Sequence, residues 1–200
     1  MNAGLQSKHV VVTGASGGIG FNLTSHFLDE GAKVTACYNS DPRDLATLTA
    51  SYPERLNIVK VDVRNESEVA SLFAEANTVF GRVDAVVANA GIADHVGLAV
   101  HEMPVEQWQK TIAVNLTGIF LCAKHFFINL KKYPADDASL VLVGSTSGEF
   151  GQARYCDYST SKAGLRGLLL TLKNEIVHLA GRGRVNLVNP GWTVTPMAKD

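Results

Sequence analysis

Residues 9 to 20 read "HVVVTGASGGIG", and the fold turns on how its two halves join. "HVVVT" (9 to 13) is short, β-branched and almost continuously apolar, the pattern of a strand covered on both faces. "TGASGGIG" (13 to 20) follows at once, with glycines at 14, 18 and 20, and a helical pattern runs from 18 to 30. Strand, glycine turn and helix open a β-α-β unit. Glycine allows the tight turn and lets backbone approach a diphosphate, whose charge the helix N-terminus favours. The spacing G-x-x-x-G-x-G differs from the G-x-G-x-x-G dinucleotide fingerprint and lacks the lysine of a P-loop, so a plain glycine turn competes with a phosphate site here.

Outward from that stretch the same alternation continues. Strands are predicted at 33 to 37, 56 to 61, 84 to 88, 139 to 143 and 184 to 188, with helices around 42 to 51, 66 to 80, 105 to 131 and 158 to 180. This argues an α/β fold, a doubly wound parallel sheet with helices on both faces, as one domain over residues 1 to 200. Ligands of such sheets bind beyond the carboxyl ends of the strands. All six exits are small, polar or glycine-bearing: "GASGGIG", "YNSD", "DV", "NAG", "GSTSG" and "NPG". One glycine turn is punctuation; six polar exits on one sheet edge describe a site.

Composition excludes several classes. With 46% hydrophobic and 18% charged residues the chain is globular, and its low charge leaves apolar surface for a partner subunit. Net charge is -1 and the longest basic cluster is Lys131 and Lys132, which favours neither nucleic acid nor an anionic membrane. Cys37, Cys122 and Cys156 have neither metal-type nor disulfide-type spacing, which points to a reducing compartment. No apolar run approaches membrane-spanning length, and "MNAGLQSKHV" lacks a signal peptide's hydrophobic segment, so the expected location is cytoplasmic. No metal role is expected for His95, His101 or His125, which lack ligand spacing.

The chemistry gathers late in the chain. In "DYSTSK" (157 to 162) Tyr158 and Lys162 stand four apart, on one face of a helix. An ammonium beside a phenol favours the phenolate and brings the tyrosine toward a useful pKa. A surface pair that merely shares a face is the competing reading. Ser145, at the fifth strand's exit, offers a hydroxyl to a carbonyl oxygen or else caps its own turn. Asp62 accepts from an adenine amino group or caps a turn. In "NAG", Asn89 bonds backbone while Ala90 and Gly91 leave room for a flat ligand, or the three form a turn.

Taken together, "TGASGGIG", "DV" at 62 to 63, "NAG", Asn115 in "VNLTG", Ser145, the Y-x-x-x-K of Tyr158 to Lys162 and "NPG" at 189 to 191 resemble the short-chain dehydrogenase/reductase family, in its order and over nearly the whole chain. Within it the wording is most similar to the 3-oxoacyl-(acyl-carrier-protein) reductase-like group. The resemblance implies a Rossmann-type, NAD(P)-dependent oxidoreductase acting on a carbonyl or secondary alcohol. Tyr158 would be the general acid or base, Lys162 would lower its pKa and bond the nicotinamide ribose, Ser145 would polarise the carbonyl, and Asn115 would hold a water linking Lys162 to solvent. It further implies cofactor contacts at Gly14, Ser16, Gly18, Ile19, Gly20, Asp62, Val63, Asn89, Ala90, Gly91, Pro190, Gly191 and Thr193. The alternative on the same fold is a cofactor-binding sensor or scaffold with little catalysis.

An acidic residue at the end of strand two repels a 2′-phosphate. The aligned residues here are Tyr38, Asn39 and Ser40, with Asp41 read as capping a helix that begins at Pro42 and Arg43 placed to reach the phosphate. NADP is therefore expected over NAD. Phe150, Gln152, Arg154 and Trp192 flank the site, and His95 and His101 are weaker candidates for its mouth. Helices 105 to 131 and 158 to 180 are apolar around most of their circumference, which predicts a homodimer or homotetramer. Against the family pattern the chain ends, at "TPMAKD", before a seventh strand and a substrate flap. The sequence thus predicts an exposed edge at strand six and a poorly active, association-prone form.

Overall fold

The computed structural model describes residues 4–94 and 96–195. His95 lies outside the described residues. Six strands alternate with helices: β1 (His9–Val12), α1 (Gly18–Asp29), β2 (Lys33–Tyr38), α2 (Leu45–Ser51), β3 (Leu56–Lys60), α3 (Glu66–Phe80), β4 (Ala85–Ala88), α4 (Val105–Ile112), α5 (Ile119–Lys132), β5 (Asp137–Val143), α6 (Thr146–Phe150), α7 (Cys156–Glu175) and β6 (Arg182–Val188). The strands form one parallel sheet in the order β3-β2-β1-β4-β5-β6. The chain winds outward from β1 to β3 and then returns to start β4 on the other side of β1, so strand order reverses between β1 and β4. A crevice opens at the carboxyl ends of that pair.

Strand periodicity sorts the core into two layers. Val10 and Val12 of β1 pack with Val34, Ala36, Leu28 and Leu45 under α1 and α2. Val11 faces the other way, in register with Val86 of β4, which in turn pairs with Leu140 of β5. That row lies under α3, α5 and α7 with Phe73, Phe126 and Leu165. Side chains alternate faces along a strand, so the central strands β1, β4 and β5 feed both layers, whereas β6 feeds only the second through Val185 and Leu187.

Strands β5 and β6 each start two residues earlier than the sequence reading, and three helical segments differ from it. First, α2 begins at Leu45 with Asp44 as its N-cap, while the Asp41 carboxyl accepts from Arg43 N (2.9 Å) and caps a tight turn with Arg43 at φ 48°. Proline at 42 does not start a helix there. Second, the long helix is interrupted by a π-helical segment, Ala113–Gly118, between α4 and α5. By length and hydropathy Val105–Lys132 is apolar enough to cross a membrane, contrary to the expectation that no run approaches that size. Its Ile119, Cys122, Phe126 and Leu130 are buried against the sheet, as a core helix requires. Third, α7 starts two residues early and ends at Glu175, followed by a 3-10 turn over Ile176–His178. At the sheet margin β6 pairs with β5 alone among the described residues, and Arg184, Asn186 and Val188 are exposed.

Candidate active site

The first strand exit is shaped by missing side chains. Gly14 has φ +64°, and a Cβ on it would lie 2.8 Å from the Ala90 backbone. A Cβ on Gly20 would lie 2.2 Å from Gly14 O and 2.8 Å from Ala15 Cα, so only glycine lets α1 start this close to the turn. The N-cap of α1 is Gly17, which brings no side-chain acceptor to the first-turn amides. Thr13 Oγ1 accepts from Asn89 N and Ala90 N, both at 3.1 Å, and Asn89 Nδ2 donates to Thr13 O (3.0 Å) and Gly14 O (3.1 Å). These bonds stitch the exits of β1 and β4 together and hold Gly14 and Gly20 against Asn89 and Ala90, with Ser16, Gly18 and Ile19 in the same turn and first helical turn. Uncapped helix amides behind a turn without side chains fit a diphosphate. Asn89 serves this cradle as a staple, since both its amide protons go to backbone.

At the far end, Tyr38 closes β2 half-buried against the α1/α2 core, with Asn39 and Ser40 exposed beyond it. Asp62 follows β3 and accepts from Arg64 N (3.0 Å), Nε (2.9 Å to Oδ1) and Nη2 (2.6 Å to Oδ2). The Arg64 guanidinium holds the Asp62 carboxyl below the usual carboxylate range. Asp62 is therefore a turn cap as well as a candidate adenine acceptor, while Asn65 caps α3 through Ser67 N. The Val63 side chain is buried and packs at Gly118, where a Cβ would meet it at 2.7 Å.

Four polar side chains meet where β4, β5, α7 and the π segment converge. Asn115, fully buried, accepts from Ile92 N (2.8 Å) and donates to Ile92 O (2.8 Å) and Ser161 Oγ (3.2 Å). A π segment is a frequent mark of a functional site. Lys162 is buried and donates from Nζ to Val143 O at 2.8 Å. Gly91 lies beside both, since a Cβ on it would be 3.3 Å from Lys162 Nζ and 3.4 Å from Asn115 Oδ1. Ser145 caps α6, its Oγ accepting from Ser147 N at 3.1 Å, and its backbone N donates to Asn189 Oδ1 at 3.1 Å. Gly148 lets α6 rest on α7 at Lys162, where a Cβ would come within 2.8 Å of backbone.

Burial dominates the electrostatics of the pair. Burial pushes the Tyr158 phenol above its ordinary value, and the Ser145 hydroxyl beside it works in the opposite direction. Lys162 Nζ stands 5.8 Å from the Tyr158 ring centroid, one helix turn along the same face. Burial lowers Lys162 itself to about 8, because a charged ammonium loses its hydration in this pocket. Burial thus moves the two groups apart in acidity, the phenol upward and the ammonium downward.

The short chain dehydrogenase profile matches residues 8–200. The chain belongs to the short-chain dehydrogenase family. It is 35% identical over 198 residues to the cis-4-hydroxycyclohexanecarboxylate dehydrogenase of Sinomonas cyclohexanicum, covering 98% of this chain and 78% of that one. It is 31% identical over 197 residues to the NADP-dependent (R)-specific alcohol dehydrogenase of Lentilactobacillus kefiri, covering 98% and 77%. Its structure is similar to the glucose/ribitol dehydrogenase of the family from Brucella melitensis, with a TM-score of 0.86, 31% identity, and 96% and 75% of the two chains covered. As a member of this family the chain is an NAD(P)-dependent oxidoreductase.

Most of the site residues read from the sequence lie on this one edge of the sheet. Pro190, Gly191 and Thr193 follow β6, with Pro190 O accepting from Thr146 N (3.0 Å) and Thr193 Oγ1 donating to Gly191 O (3.2 Å). His101 is exposed, and His125 stacks on Phe73 away from the crevice, 3.4 Å from Glu66. Sequence reasoning missed Arg64, Ser161 and the Asn189 side chain, which also donates to Glu149 Oε1 at 2.9 Å. Arg64 had a visible signal, as a cation two residues after an acid. Asn189 had none, because only the fold brings the exits of β5 and β6 together.

Proposed function

We propose that this chain interconverts a carbonyl compound and its secondary alcohol with NADP as the preferred cofactor, Tyr158 acting as general acid in reduction and general base in oxidation. The observation that carries the reading is the convergence of Tyr158, Lys162, Ser145 and Asn115 beside the glycine cradle. The nicotinamide, when bound, supplies or accepts the hydride. Tyr158 moves the proton to or from the substrate oxygen; burial favours its protonated form, which serves donation in reduction and works against proton abstraction in oxidation. Ser145 accepts from Ser147 N and lies beside the Tyr158 phenol, so its O–H would turn from the phenol to a substrate oxygen held between the two. Lys162, at about 8, is an intermediate donor within reach of the tyrosine's helix turn. Both Asn115 amide protons are used, on Ile92 O and Ser161 Oγ, so a relay water at this side chain would have to donate to Oδ1, which accepts one bond, from Ile92 N.

Three features support NADP. Tyr38, Asn39 and Ser40 bring no carboxylate to the 2′ position, Arg43 is exposed in the turn just beyond, and the Lentilactobacillus kefiri relative is NADP-dependent. Phe150 and Trp192, 86% and 87% exposed, flank Gln152 and Arg154 and support a partly apolar substrate. The sensor reading has no use for a buried lysine and a spent asparagine amide behind the tyrosine. We further propose a cytoplasmic homodimer, extending to a tetramer, built on the outer faces of α5 and α7. Leu116, Thr117, Phe120, Gly164, Gly167 and Leu168 line a groove there, with Phe120 44% exposed. The test of function is NADPH oxidation across a panel of ketones and sugars, with Tyr158→Phe as the control. That variant is expected to lose at least about 100-fold in kcat and to keep its NADPH affinity. Turnover near the parent's would refute the mechanism.

A further inference from the structure

Thr111 stands four residues before Asn115, and Asp157 four before Ser161. Residues four apart lie on one face of a helix, one turn above another. Asn115 Nδ2 donates to Ser161 Oγ at 3.2 Å, and one turn away Thr111 Oγ1 donates to Asp157 Oδ2 at 2.8 Å. These are consecutive rungs between the α4/π helix and α7. All four residues are at least 98% buried. The helices approach closely beyond the second rung, where a Cβ on Gly164 would lie 3.0 Å from the Leu116 side chain.

Asp157 is an expensive residue for packing alone. Gln107 Nε2 donates to the same Oδ2 at 3.3 Å, while Oδ1 is buried with no partner among the described residues. An apolar side chain would dock the helices without desolvating a carboxyl group. What a hydrogen-bonded rung adds is a defined geometry. Tyr158 follows Asp157 by one residue and Lys162 follows Ser161 by one. One residue along an α-helix turns the side chain by about 100°, so two rungs fix the rotation of α7 and with it the directions of both side chains.

We propose that the Thr111–Asp157 contact is a positioning element for the proton-transfer pair. It sets the rotation and register of α7 against α4, and acts on Tyr158 and Lys162 without touching substrate. The proposal rests on the roles assigned above to those two residues.

Thr111→Val keeps the shape and removes the donor, whereas Thr111→Ser keeps the donor. With NADPH and the panel compound that the parent reduces fastest, Thr111→Val is expected to lower kcat at least about tenfold, since sub-ångström misplacement is enough. KM for NADPH is expected to stay within about twofold, and Thr111→Ser to recover most of the lost turnover. A contact that only docks the helices would lower the melting temperature and leave kcat intact in the folded protein. The second readout needs no turnover. Protein labelled with fluorotyrosine gives one fluorine resonance for each of its 5 tyrosines, and the one missing in Tyr158→Phe belongs to Tyr158. That resonance is expected to move in Thr111→Val and to return in Thr111→Ser; Thr111→Ala replaces Thr111→Val if the latter is not recovered folded. Unchanged kcat together with an unchanged Tyr158 resonance overturns the proposal. A parent inactive on the whole panel overturns the functional reading instead, and the resonance then decides the rung by itself.

Discussion

Replacing Asn115 with leucine removes three hydrogen bonds at nearly constant volume. Ile92 loses the acceptor for its N–H and the donor for its carbonyl, both at 2.8 Å, and Ser161 Oγ loses a donor at 3.2 Å. A polar group left unpaired in the interior costs about 1–3 kcal/mol. Ile92 is only half-buried, so water offsets part of this, and about 2–4 kcal/mol in total is the reasonable sum for the two backbone groups. For a domain of this size each kcal/mol moves the melting temperature by about 2–4 °C, so a drop of about 5–15 °C is expected by circular dichroism. Turnover should fall further than stability requires, because Ile92 follows Gly91, which lies against Lys162 and Asn115. Asn115→Asp is expected not to rescue, since it keeps the acceptor for Ile92 N but turns an acceptor toward Ile92 O. A leucine variant melting within about 2 °C of the parent and retaining its turnover would show that the amide does not hold the β4 exit.

Two further expectations concern charge and assembly. Burial brings Lys162 from an ordinary 10.5 to about 8, so between those values the unfolded chain holds a proton that the folded chain has released. Stability from this group is therefore lowest below about 8 and rises with pH toward 10.5, and the gap in unfolding free energy between Lys162→Met and the parent should narrow over that interval by on the order of 3 kcal/mol. A constant gap would mean that the ammonium is solvated. Sedimentation at micromolar concentration should give a dimer or larger; a monomer would count against the α5/α7 interface.

The layered fold and its working edge were legible in the sequence because their causes are local. Nearly continuous apolar runs, such as "HVVVT" and "SLVLV", bury both faces, and glycine at 14 and 20 is demanded by backbone alone. The Tyr158/Lys162 pair was legible for the same reason, since i to i+4 is a property of one helix. Boundaries were less so. Asp41 and Pro42 carry the chemistry of a helix start, yet the Asp41 carboxyl is taken by Arg43 N and the helix waits for Asp44. What only the tertiary structure decided is how polar groups distant in sequence share partners. Asn115 reaches Ile92, Asp157 reaches Thr111, and Asn189 reaches Ser145 across 23, 46 and 44 residues. The direction of the Tyr158 shift belongs here too, because its largest cause is the water that the fold removes from the phenol. Hydrogen-bond pairing and desolvation depend on what surrounds a group in space, and a linear pattern carries that information only where the chain itself supplies the neighbour.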